Sequence, residues 1–206
     1  VRPDVAVFVE ATPEWRAAMA ALADEWPHEA YAPGAGSNGI LIRSRHALAR
    51  VAPVSLGGQP EAGLSAWLAP HGHPVEVLGL HLRWPMSPDS AAMRNRELAG
   101  LAAYAAHARV PLVVVGDFNS TRYTPPFARM LRDGRLGDCA AGRGLHGTWP
   151  TRFPPGYIPI DHCLHTEGVW VDRFEVGPFV GSDHYPLLAT LRVPDSAGLA
   201  AVFPLD

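Results

Sequence analysis

Several apolar runs in this sequence end in, or carry, groups that bind cations or move protons. Residues 4–10, DVAVFVE, end in Glu10, and residues 74–82, PVEVLGLHL, carry His81 beside their last position. Residues 111–118, PLVVVGDF, deliver Asp117 and, one position on, Asn119. Residues 158–165, IPIDHCLH, contain Asp161, and the turn before the last apolar run holds Asp183 and His184 side by side. Singly, each is an ordinary turn or core residue, since Asp and Asn suit turn geometry. Together they offer more. Carboxylates with histidine nearby make an oxygen-rich cluster suited to a hard divalent cation such as Mg²⁺. A carboxylate can orient or deprotonate a water, and an amide can donate to an anionic oxygen. Asp117 and Asn119 are two positions apart, so an extended backbone would turn both to one face and Phe118 to the other. Neighbours on a strand diverge, so Asp183 and His184 need a turn, and Gly181 and Ser182 are the residues to make it.

To aim these groups at one point, the chain needs strands whose ends converge. Apolar runs predict strands at 4–10, 38–44, 48–56, 63–69, 74–82, 111–118, 158–165, 169–177 and 185–193. Helices are predicted at 13–26, where Thr12 and Pro13 sit as N-cap and first residue, at 89–108 and at 125–132. In the second helix Leu98, Leu101, Ala102 and Ala105 make one apolar stripe. Gly/Pro-rich connectors suggest hairpins, and the mixture of hairpins, single strands and helices predicts stacked sheets with helices outside. No glycine-rich phosphate loop appears, which removes support for nucleotide-cofactor folds. Residues 195–206 read as a peripheral tail of a single domain spanning 1–206.

Composition narrows the function classes. The 206 residues are 48% hydrophobic and 18% charged, a globular rather than disordered balance. All 17 basic residues are arginine, and the net charge of −3 supplies no global field for nucleic acid. Cys139 and Cys163 form no CxxC pattern and read as buried free thiols. No stretch has the length of a membrane span and no signal-peptide pattern is present. The chain starts at Val1, just before a strand-like run, and is expected to be a fragment of a longer protein.

VVVGDFNS, GSDHYPLLATL and IPIDHCL resemble the signature blocks of the endonuclease/exonuclease/phosphatase superfamily, the DNase I-like fold. PDVAVFVE is similar to that family's acidic strand, VLGLHL to its histidine strand, and GTWPT (147–151) to another recurring block. The blocks fall in family order over about residues 3–193. The resemblance implies a four-layer α/β sandwich of two packed mixed or antiparallel sheets flanked by helices. It also implies a metal-dependent phosphodiesterase or nuclease, or a phosphatase, with Mg²⁺ (or Mn²⁺) as cofactor. By position, Glu10 and Asp183 match metal-site acids, and His184 the histidine facing the scissile phosphate. Asp161 matches the acid that orients that histidine, and His81 a second phosphate contact. Asp117 matches the residue that positions or activates water, and Asn119 a phosphate or water donor. Thr148 and Arg94 match supporting positions, Arg94 reading equally as a surface arginine. Either Asp117 or His184 can take the base role.

The family opens with a strand, bearing an asparagine, and a helix that have no counterpart here. The expectation is a sheet short of one interior strand, with neighbouring backbone exposed and activity weak until upstream residues are restored. The motif style is similar to a bacterial subgroup with upstream transmembrane helices, which implies a membrane-tethered parent. Substrates implied are nucleic acid, a lipid headgroup or a small phosphoester, and the chain is expected to be a monomer. Arg122, Arg129, Arg132, Arg135, Arg143 and Arg152 read as a groove or as a solvated face. The LRWPMSP loop (82–88) reads as loop packing, or as a contact to an apolar substrate through Trp84 and Met86. The competing reading is a non-catalytic binding or scaffold module on the same fold.

Overall fold

A computed structural model describes residues 2–34, 38–153 and 156–193. In chain order it contains β1 (Val5–Val9), α1 (Pro13–Ala18), β2 (His28–Ala32), β3 (Ile40–Ser44), β4 (Ala49–Leu56) and β5 (Gln59–Leu68). Then follow β6 (Val75–His81), α2 (Pro88–Ala106), β7 (Leu112–Asp117), α3 (Pro125–Asp133) and β8 (Gly137–Asp138). The chain closes with β9 (Asp161–His165), β10 (Trp170–Val176) and β11 (Leu187–Arg192).

A six-stranded sheet, ordered β4-β5-β6-β7-β9-β8, is the main layer. All its pairings are antiparallel except β6 with β7, which α2 connects as a crossover. Strand alternation sends Leu78, Leu80, Leu112 and Val114 to one face, where they pack on Leu98 and Leu101 of α2 and Phe127 and Met130 of α3. Val77, Val113 and Cys163 point to the other face, against Val5 and Val7 of β1 and Leu187 and Leu191 of β11. Gly79 is small for a reason of space: a Cβ there would meet the Val7 side chain at 2.6 Å. The result is the α/β sandwich that the sequence predicts.

The second layer is not one sheet among the described residues. It consists of a three-stranded piece, β1-β3-β2, and a separate hairpin, β10-β11. β1 pairs only with β3 and β11 only with β10, so each leaves one edge without a described partner strand. Every residue of β1 is partly exposed although its sequence is VAVFV, and Val115 in central β7 is likewise only partly buried.

Several boundaries differ from the sequence reading. The helix expected over 13–26 is α-helical only to Ala18 and tightens into a 3-10 turn at Met19–Leu22, because α1 buries no side chain that would reward a longer helix. β2 was invisible in sequence, since HEAYA lacks β-branched residues. β9 begins only at Asp161; Ile158 instead forms an isolated bridge with Trp149. Cys139 and Cys163 are buried and free, as expected.

Candidate active site

Strand register places three of the candidate groups side by side. His81 ends β6 opposite Asp117 at the end of parallel β7, and Asp117 lies opposite Asp161 at the start of antiparallel β9. Because residues abreast on adjacent strands share a face, all three face the second layer at one end of the sandwich. That layer supplies Glu10, just past β1, and Asp183-His184, in the turn before β11. The site is therefore a seam between two layers, with acids and imidazoles contributed from both.

Local backbone aims the groups at the seam ends. Glu10 and Asn119 both occupy the left-handed region, with φ of 57° and 47°. For a residue other than glycine this conformation costs about 1–2 kcal/mol. At Glu10 the turn is locked by the Ala11 N–H, which donates to the Gly39 carbonyl at 2.8 Å. At Asn119 the turn is an Asx-type closure: its N–H donates to Asp117 Oδ1 at 2.7 Å. Here the extended-backbone expectation fails, because β7 stops at Asp117 and the chain turns. Asn119 Nδ2 donates to the Leu82 carbonyl at 2.9 Å, tying the end of β7 to the loop after His81.

The two histidines are held differently. His184 Nδ1 lies 2.8 Å from Asp161 Oδ2, a hydrogen-bonded ion pair. Burial opposes charge on this imidazole, but the Asp161 hydrogen bond and the carboxylates of Asp161, Asp117 and Asp183 outweigh it and raise its pKa. His81 Nε2 lies 3.8 Å from Glu10 Oε1 and 3.7 Å from Asp117 Oδ2, both beyond hydrogen-bond length. Its Nδ1 is buried without a partner. Burial lowers the His81 pKa, against the pull of Glu10. Asp117 is pushed up to about 7, by burial first and then by the Asp161 charge, with the Asn119 N–H and His184 opposing.

Supporting contacts surround this core. Arg94 is not a free surface arginine: its guanidinium donates to the Asn119 carbonyl at 2.6 Å and to Asn95 Oδ1 at 3.0 Å. Thr148 is fully buried, and its hydroxyl lies 3.4 Å from the Ile158 carbonyl and 3.5 Å from the Asp161 N–H. Three supporting residues had no individual signal in the sequence. Trp149 Nε1–H donates to Asp183 Oδ2 at 3.3 Å, and Thr151 donates through Oγ1 to the Ser182 carbonyl and through its N–H to the Asp183 carbonyl. His162, buried between Phe118 and Phe127, lies with Nε2 2.8 Å from the Ser120 carbonyl. These residues act through contacts made only after folding; their one trace in sequence is the GTWPT block for Trp149 and Thr151 and the IPIDHCL block for His162. Among the arginines of residues 122–152, Arg122 pairs with Asp138, Arg132 with Asp133, and Arg135 lines a cavity with Ala105 and Thr166.

The donor chemistry fits a hard divalent cation. Asp117, Asp161 and His184 each offer a ligand atom, all within 4.8 Å of one another. The Asp161 and His184 atoms already share a hydrogen bond, which a cation would have to displace. Glu10, whose side chain is 57% exposed at the seam, and Asp183 both lie outside that three-atom group. The Asp117 pKa is raised by burial first and by the Asp161 charge second, and a cation beside it would favour the carboxylate.

Known proteins share this fold. The chain matches the Endonuclease/Exonuclease/phosphatase family over residues 1–184. An endonuclease/exonuclease/phosphatase from Beutenbergia cavernae DSM 12333 superposes with a TM-score of 0.69 at 22% identity, covering 93% of this chain and 63% of that one. An AP endonuclease from Archaeoglobus fulgidus gives 0.75 at 16% identity, with 93% and 90% covered. A mannosyl-6-phosphatase from Bacteroides thetaiotaomicron gives 0.68 at 16%, with 92% and 85% covered. This chain thus spans less than two thirds of the Beutenbergia protein's length. No curated protein matches it in sequence.

Proposed function

The chain belongs to the endonuclease/exonuclease/phosphatase family, and from that premise we propose that it is a divalent-metal-dependent hydrolase of phosphate esters. The observation that carries the reading is the Asp161–His184 pair, which closes the seam beside buried Asp117. Phosphate ester cleavage asks little covalent chemistry of a protein; it asks for an aimed water and neutralised charge.

Each group has a task that its surroundings support. With a pKa near 7, Asp117 is matched to accept a proton from the attacking water at neutral pH. His184, whose charged form the Asp161 hydrogen bond favours, can face a phosphoryl oxygen and return a proton to the leaving group. His81, buried and neutral, offers Nε2 as a further contact beside Glu10. Asn119 has one amide hydrogen engaged by Leu82, leaving the other for an oxygen of water or phosphate. Mg²⁺ or Mn²⁺ held by Glu10, with Asp183 nearby, would polarise the phosphoryl oxygen.

The test is hydrolysis of bis-p-nitrophenyl phosphate with Mg²⁺ or Mn²⁺, with His184→Ala as control. Cation-dependent release of p-nitrophenol that His184→Ala abolishes is expected. No hydrolysis with either cation would overturn the reading. A second reading, a binding module without catalysis, draws on the unpartnered edges of β1 and β11. Calorimetry separates the two: metal binding that Glu10→Ala removes favours the enzyme.

A further inference from the structure

The chain's only two cysteines take no part in the chemistry above. Cys139 follows β8 and Cys163 lies within β9, at the two ends of the long loop 139–160. Strand register brings them together. β8 pairs with β9 in antiparallel register, Gly137 opposite His165 and Asp138 opposite Leu164, and one more step sets Cys139 opposite Cys163. The Cys139 N–H donates to the Cys163 carbonyl at 2.9 Å, which extends the ladder to this pair. Both side chains lie in the cluster packed on the second layer, with Val113 and Phe174, and the two thiols are within hydrogen-bond reach of each other.

Opposed residues of an antiparallel pair have Cα atoms about 4.5–5.5 Å apart, inside the range of about 4.4–6.8 Å that a disulfide spans. Packing alone asks only for small apolar groups here. It does not ask that the two cysteines of 206 residues face one another. Their place in the fold matters as well. β8 has two residues, lies at the edge of its sheet and pairs with β9 alone among the described strands. The loop that leaves it carries Thr148, beside the Asp161 N–H, and Trp149 and Thr151, which donate to Asp183. A bond between Cys139 and Cys163 would close that loop into a ring at its base, two residues along β9 from Asp161.

We propose that Cys139 and Cys163 are a disulfide site, at which a small-molecule disulfide oxidises the two thiols to a cross-strand bond that pins β8 to β9. The exchange has two steps. One cysteine, as thiolate, attacks a sulfur of the oxidant, forming a mixed disulfide and releasing one oxidant thiol. The other then attacks the protein sulfur of that mixed disulfide, forming the Cys139–Cys163 bond and releasing the second oxidant thiol. Two electrons and two protons pass to the oxidant, which is reduced to two thiols. Both cysteines are buried, Cys139 at 0% and Cys163 at 2% exposure, so the exchange proceeds through opening of the short edge strand rather than in the closed fold.

Incubation of the 206-residue chain with glutathione disulfide in sub-denaturing urea, which opens β8, tests the proposal. The intact mass should fall by about 2 Da, the two thiol hydrogens. An unreduced tryptic digest should then hold peptides 136–143 and 153–173 joined. With urea removed, the linked chain should melt about 5–10 °C above the thiol form, and dithiothreitol should reverse the gain. Amide exchange at 139–141 should slow about tenfold. Cys139→Ala/Cys163→Ala should show none of these changes under the same treatment. Glutathione adducts in place of the link, disulfide-joined dimers, an unchanged mass, or a linked chain with unchanged melting would each overturn the proposal. Every readout is independent of turnover, so a chain that hydrolyses nothing tests the cysteine pair equally well.

Discussion

His184 and His81 approach the same carboxylates from opposite layers of the sandwich, yet their chemistry diverges. His184 meets Asp161 at 2.8 Å and gains charge; His81 stands 3.7 Å from Asp117 and 3.8 Å from Glu10 and loses it. Burial works against the charged form of both. What separates them is the deeper burial of His81, 13% exposed against 27%, and the Asp161 hydrogen bond that only His184 has. Proximity to negative charge does not offset desolvation for His81, whereas a direct bond reinforced by neighbouring carboxylates does for His184. One seam thus favours the charged form of one imidazole and the neutral form of the other, which is the condition for giving them different tasks.

Removing the charged member should do most damage. His184→Ala is expected to lower metal-dependent phosphoester hydrolysis about a thousandfold, within the usual range for a general acid or base; a loss below tenfold would remove it from the chemistry. Breaking the bond alone should do less. Asp161→Asn should lower turnover about a hundredfold and, in metal-free NMR titration, bring the His184 pKa down toward that of His81. Unchanged titration would mean that Asp161 does not set the difference. His81→Gln keeps a neutral donor and should cost about tenfold, with the His184 titration unmoved.

Stability against pH gives a smaller, independent measure. The folded-state pKa values of His184 and Asp117 both lie above their ordinary 6.5 and 3.8. For each group the stabilising contribution is therefore full below the ordinary value and lost as pH rises through the folded one. For Asp117 that window runs from about 4 to about 7, with a slope of at most about 1.4 kcal/mol per pH unit. Denaturant titrations without metal should show Asp117→Asn losing less stability than the parent across this window, and added Mg²⁺ should shrink the difference. Smallest of all, Arg94→Ala, which frees the Asn119 carbonyl without touching either histidine, should cost about threefold in turnover through loosened positioning.

The reacting residue types, their order and the apolar runs that carry them were legible in the sequence, because a polar group at the end of a hydrophobic strand is a local pattern. So were the helix-covered core and the α/β class, which follow from periodicity. Short β2, the early end of α1 and the turn at Asn119 were not, since weak strand residues, an unrewarded helix and a left-handed closure are settled by packing and by side-chain-to-backbone bonds. Pairing lay further still from the sequence. That His81, Asp117 and Asp161 stand abreast depends on strand register across segments separated by whole helices and loops. That Asp161 bonds His184 while His81 is left at 3.7 Å depends on how two layers close. Residue identity determined which groups could carry charge; distances of a few ångströms in the folded chain decided which one does.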